Sequence, residues 1–201
     1  LLLKPDFIDH VEAAAVPLAG VTAIMCVEAV DPQPGQVVLI VGAAGGVGSF
    51  AVPMVAARGA AVIGVARAIN HDYLGQIGAS ETIDYTTSDV AAVVRSAHPD
   101  GIDAIIDLAS DPVQARELVA LVRDGGVVAS PNGTAPMDDP RVKGAYIIAE
   151  MSRSRLQQLG SMLEDGTVMP PPIRSYPMDD IHDAIKESEA GHVRGKLVVT
   201  T

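Results

Sequence analysis

Hydrophobic residues along the chain fall into short continuous runs, separated by segments whose apolar positions recur at helical spacing. The runs Val37–Val41, Ala61–Ala66, Ile102–Leu108, Gly126–Ala129, Ala145–Ala149 and Leu197–Val199 read as strands, and the best of them are apolar at every position. A strand without alternation is buried on both faces, the condition of a parallel sheet covered by helices. Helices are expected at Val47–Arg58, Asp72–Ile77, Asp89–Ala97, Val113–Val122 and Ser154–Glu164, each short enough to be one crossover. The pattern predicts an α/β fold.

Ahead of the first strand, Asp9-His10-Val11-Glu12 has the spacing of a capping box and opens an Ala-rich helical stretch that Pro17 and Gly20 should break in two. Asp31-Pro32-Gln33-Pro34-Gly35 is a turn that launches the strand. Pro170-Pro171-Pro172 is the other conspicuous breaker, followed by a helix near Asp179–Glu189 and the last strand. The expected organisation is a lead-in helical segment at 1–30, the main α/β domain at 31–165 and a return segment at 166–201 directed toward a second, mostly absent domain. The opening Leu1-Leu2-Leu3-Lys4-Pro5 reads as the interior of a longer protein.

Composition narrows the function. With 201 residues, 48% apolar and 19% charged, the chain has the makeup of a folded domain. Its formal charge of −11 argues against a nucleic-acid partner, whose affinity rests on Lys and Arg displacing counterions. Cys26 is the single cysteine, so neither a disulfide framework nor a cysteine-rich zinc site can be built, and a reducing, cytoplasmic setting is expected. No apolar run approaches the roughly 20 residues that span a bilayer, so no membrane partner is expected.

The candidate chemistry lies after the first strand. Val37–Val41 runs into Gly42-Ala43-Ala44-Gly45-Gly46-Val47-Gly48, and a helix rich in Ala, Val and Met follows. A pyrophosphate approaches a backbone only where N–H groups are presented without obstructing side chains, and a helix N-terminus adds roughly half a positive charge. Gly45 and Gly46 are expected to provide that approach, and Gly48 to let the helix pack closely on the sheet. Ala43 departs from the strict G-x-G-x-x-G pattern.

At the end of the second strand, where an NAD site usually offers an acid to the ribose, stand Ala66 and Arg67. The guanidinium of Arg67 can pair with a 2′-phosphate, which favours NADPH; the alternative is a solvated surface arginine. A methyltransferase using S-adenosylmethionine shares the strand, loop and helix but usually wants an acid after the second strand, so Ala66-Arg67 counts against it.

Ala13 to Ala23, Pro34-Gly35, Val41 to Gly48, Ile77-Gly78-Ala79, Ile83-Asp84-Tyr85 and Gly195-Lys196-Leu197-Val198-Val199 together resemble the cofactor domain of the medium-chain dehydrogenase/reductase superfamily, in its zinc-free quinone oxidoreductase (zeta-crystallin-like) branch. The resemblance implies a doubly wound, six-stranded Rossmann sheet, joined in the complete protein to an N-terminal catalytic domain. It implies that Thr22 lies near the nicotinamide and that Arg67, Asn70 and Tyr85 surround the adenosine 2′-phosphate. Some relatives have Lys where Asn70 stands, and Tyr85 is equally readable as an ordinary strand-end aromatic. By the same resemblance Leu108, Ala109 and Ser110 line the adenosine ribose side, and Ser130 and Asn132 face the nicotinamide crevice. Ala19 occupies the position of a zinc-ligating Cys in the zinc-dependent alcohol dehydrogenases, so catalytic zinc is not expected.

His10, His71, His98, His182 and His192 lack metal-ligand spacing and read as surface residues, and Ser49 lacks the G-x-S-x-G elbow of a hydrolase nucleophile. Of Asp103 and Asp107, one should cap the strand start and the other meet ribose or solvent at its end. The seven Met residues are dispersed as core filler. The expected function is an NADPH-dependent oxidoreductase delivering hydride to a quinone or an α,β-unsaturated carbonyl acceptor, with no catalytic acid identifiable in this chain. The alternative is a non-catalytic NADPH-binding redox sensor or structural module, which the fold alone does not distinguish. The resemblance also implies a homodimer, for which the apolar strand Ala145–Ala149 offers an edge to pair with its twin.

Overall fold

In the computed structural model, which describes residues 3–201, six parallel strands form one sheet in the order β3-β2-β1-β4-β5-β6. They are β1 Val37–Val41, β2 Ala61–Val65, β3 Glu81–Ile83, β4 Ile102–Asp107, β5 Val122–Ser130 and β6 Lys143–Tyr146. Strand order reverses between β1 and β4, which pair with Val41 opposite Asp107. A crevice must open there, because the crossovers on either side leave toward opposite faces of the sheet.

The all-apolar strands are buried on both faces, as their patterning predicts. Val38 and Ile40 face one core with Val62, Ala104 and Ile106; Leu39 and Val41 face the other with Ile63, Val65 and Ile105. The first core is covered by α2 (Pro17–Val30), α3 (Gly48–Ala57) and α7 (Arg153–Glu164), and the second by α5 (Val90–Ala97) and α6 (Pro112–Val119). Helix α1 (His10–Ala15) opens with the expected capping box, Asp9 accepting from the Glu12 amide and Glu12 from the Asp9 amide. The start of the lead-in segment at Leu1 and Leu2 lies outside the described residues.

Several boundaries differ from the sequence reading. Pro17 starts α2, but Gly20 does not break it: the Leu159 side chain of α7 packs into the space its Cβ would take, with Cδ2 2.5 Å from that position. The helix expected to reach Val122 stops at Val119, since Val122 already begins β5, whose pairing with β4 shifts register between Ile102 and Ala104. Strand β3 went unread because it is short and opens on the exposed Glu81. The closing strand, β8 (Lys196–Thr200), does not join the large sheet. It pairs in parallel with β7 (Ile173–Pro177), a strand whose Arg, Ser and Tyr gave no apolar run. Between them lies α8 (Ile181–Ala190), and α4 (His71–Gln76) completes the helices.

Candidate functional site

At the carboxyl ends of β1, β2 and β4 the protein opens a cleft of about 750 Å³. Its floor is the glycine loop. Gly42 takes φ 75° and its missing Cβ would come within 2.9 Å of the Ala109 Cβ, so the loop turns hard against the end of β4. At Gly48 a Cβ would meet the Ala43 carbonyl oxygen at 2.3 Å, so α3 begins directly on the preceding turn. No side chain caps α3, and the amides of Ala44, Val47 and Gly48 donate to no acceptor among the described residues. Unspent donors at a helix N-terminus form an anion site.

Gly45 and Gly46 differ. A Cβ at Gly45 meets only the Gly42 carbonyl oxygen, at 3.3 Å, and otherwise open space. At Gly46 that space is filled by the Lys196 side chain and the Gly195 carbonyl, because Gly195 bridges to Gly45 and donates to the Ala44 carbonyl at 2.9 Å. The return strand braces the loop from behind, so only Gly45 leaves room for a ligand.

Of the residues singled out by sequence, Gly42, Ala44, Gly45, Gly46, Val47, Gly48, Arg67, Asn70, Tyr85, Leu108, Ala109 and Ser110 line this cleft. Arg67 enters from the end of β2 with its Nε buried and without a partner among the described residues, and Ser110 Oγ is equally buried and unpartnered. Such orphaned polar atoms cost free energy unless a ligand meets them. Asn70 is 8% exposed beside them.

Ala43, Thr22, Ser130 and Asn132 do not line the cleft. Ala43 is fully buried and its amide donates to Val65. Thr22 is buried within α2 and donates its hydroxyl to the Leu18 carbonyl at 2.7 Å. Ser130 is fully buried, accepting from the Asn132 amide at 3.0 Å and bonded to Thr134 Oγ1 at 2.8 Å. Asp103 does sit at a strand start: it accepts from the Val37 amide at 2.8 Å and pairs with Arg123. Asp107 does not line the cleft and is turned inward, with 2% exposure. Ser49, buried, donates to the Gly45 carbonyl at 2.8 Å, so its hydroxyl is spent on the loop.

Sequence reasoning missed the cleft's far wall, Gly191-His192-Val193. His192 is exposed as expected, yet its Nδ1 lies 2.7 Å from the Tyr85 hydroxyl with the rings stacked. The segment is distant in sequence and carries no motif of its own. Beside Tyr85, the Thr86 hydroxyl and amide hold the Asp84 carboxyl below the usual carboxylate range.

The profile of the family described as "Zinc-binding dehydrogenase" matches residues 77–199, more than half of the chain. The chain belongs to the zinc-binding dehydrogenase family. It is 29% identical to a 2-methylene-furan-3-one reductase of Solanum lycopersicum, covering 98% of this chain and 48% of that protein. It is 28% identical to an NADPH-dependent alkenal/one oxidoreductase, chloroplastic, of Arabidopsis thaliana, over 99% of this chain and 49% of that protein. Among solved structures, the quinone oxidoreductase from Coxiella burnetii superposes with a TM-score of 0.90 at 28% identity, over all of this chain and 63% of that one. The chain thus spans about half the length of these curated relatives.

Membership in this dehydrogenase family implies a nicotinamide cofactor, and the residues present fit one: free amides over a helix N-terminus, an open Cβ direction at Gly45, and orphaned Arg67 and Ser110. The family's name also implies zinc. No three His, Cys, Asp or Glu side chains gather among the described residues, and burial pushes the Cys26 thiol up to about 12. Among the described residues, no helix is long and apolar enough to cross a membrane.

Proposed function

We propose that the complete protein is an NADPH-dependent, zinc-independent oxidoreductase that passes hydride to a quinone or an α,β-unsaturated carbonyl acceptor. The observation that carries the cofactor choice is Arg67, whose buried Nε has no partner among the described residues where the end of β2 meets the cleft. A 2′-phosphate there satisfies it with charge-assisted hydrogen bonds, and no Asp or Glu follows β2 before Asp72 to compete. The relatives named for alkenal/one and quinone reduction support the acceptor class.

The Ala44, Val47 and Gly48 amides then hold the pyrophosphate, while the Leu108–Ser110 turn sets the ribose side. The bound cofactor supplies the hydride; the fold's task is to fix its position and exclude water. The acceptor pocket is completed by a part of the protein outside this chain. We further propose a reducing, cytoplasmic setting, and a homodimer paired along the edge strand β6, beside which Tyr146 and Ile148 are exposed. A monomer by ultracentrifugation at micromolar concentration would remove the dimer.

The cofactor reading is tested by fluorescence titration with NADPH and NADH side by side. NADPH is expected to bind tighter, and Arg67→Ala to weaken NADPH roughly tenfold or more with NADH unchanged. Tighter NADH binding, or an Arg67→Ala variant indifferent to NADPH, overturns it.

A further inference from the structure

Asp107 ends β4 opposite Val41, the residue before the glycine loop, and is 2% exposed. Both its oxygens are occupied. Oδ1 accepts from the Ser110 amide at 3.0 Å and the Ala109 amide at 3.3 Å; Oδ2 accepts from Thr134 Oγ1 at 2.6 Å. Because Thr134 gives its single proton to Asp107, Ser130 must donate to Thr134 in turn. Ser130 closes the chain by accepting from the Asn132 amide. The bonds therefore all run one way, from the loop after β5 into the carboxylate.

The other side of the carboxylate bears on the cleft. Ala109 is the residue against which Gly42 is packed, 2.9 Å from the missing Cβ, and Ser110 presents the orphaned hydroxyl. Thr134 itself does not line the cleft.

We propose that Asp107 is a positioning residue: one buried carboxylate, held by Thr134, fixes the Leu108–Ser110 wall against the phosphate loop so that the ribose-diphosphate half of a dinucleotide is bound in place. This rests on the reading of the cleft as a dinucleotide site. It is independent of the choice between NADPH and NADH.

The probe is ADP-ribose, which lacks both the nicotinamide and the 2′-phosphate, titrated calorimetrically into the full-length protein, with thermal unfolding followed in parallel. Thr134→Val, which removes the hydroxyl at a site outside the cleft, is expected to weaken ADP-ribose roughly three- to tenfold, since it releases a hydrogen bond to a charged group. Thr134→Ser restores it. Asp107→Ala weakens binding at least as much, because it removes the acceptor of both the backbone pair and Thr134, and adding Thr134→Val to it costs little more. A folded Thr134→Val variant that binds like wild type, or losses that simply add in the double variant, overturns the proposal. Should Thr134→Val fail to fold, Thr134→Ala carries the same test. Failure of the wild-type protein to bind ADP-ribose sinks instead the reading of the cleft.

Discussion

The loops after β1 and after β5 leave the same carboxyl end of the same parallel sheet, yet they are built oppositely. The glycine loop has few polar side chains and leaves the amides of Ala44, Val47 and Gly48 unspent. The loop after β5 is rich in hydrogen-bonding side chains and spends them on itself, through Ser130, Thr134 and the Asp107 carboxylate. The comparison teaches that a ligand site is found by asking which donors remain free. Counting polar residues near a strand end points to Ser130; accounting for hydrogen bonds points to the glycines.

Substitutions can break that contrast. The largest effect is expected at Gly48→Val, where the Cβ meets backbone at Ala43 and Gly42 that cannot move aside; a loss of about 3 kcal/mol or failure to fold should appear in urea unfolding. Gly45→Ala should instead fold and lose nucleotide affinity by roughly tenfold in the same titration used for Arg67, because its methyl enters the space left for phosphate. If Gly45→Ala binds normally, the open loop is not where phosphate sits. Ser130→Ala should cost about 1 kcal/mol of stability, the ordinary worth of a buried hydrogen bond whose loss leaves Asn132 and Thr134 to rearrange.

The smallest effect concerns Cys26, fully buried within α2. Burial raises its thiol from near 9 to about 12, so folding favours the protonated form. Its contribution is intact below about pH 9 and is lost as pH rises toward 12. The thiol should resist a disulfide reagent at pH 8 until the protein is unfolded, and prompt labelling of native protein would contradict that burial.

Much of the molecule was legible in advance. Strands β1 and β2 were readable because burial on both faces demands uninterrupted apolar residues, β4 from the apolar Ala104–Ile106 between its two aspartates, and the capping box of α1 because its geometry is local. Strand β7 was not legible, for its polar residues acquire strand character only by pairing with β8. Nor was the His192 wall, which reaches Tyr85 only through the packing of the return segment.

By itself, then, the amino-acid sequence determined the alternation of buried parallel strands with helices and the glycine loop after the first strand, because hydrophobic periodicity and backbone sterics act over a few neighbouring residues. Only the tertiary structure decided which polar groups were left facing the cleft. Whether Asp107 meets a ligand or a neighbouring loop depends on what another strand, distant along the chain, brings within hydrogen-bonding reach, and no local pattern records that distance.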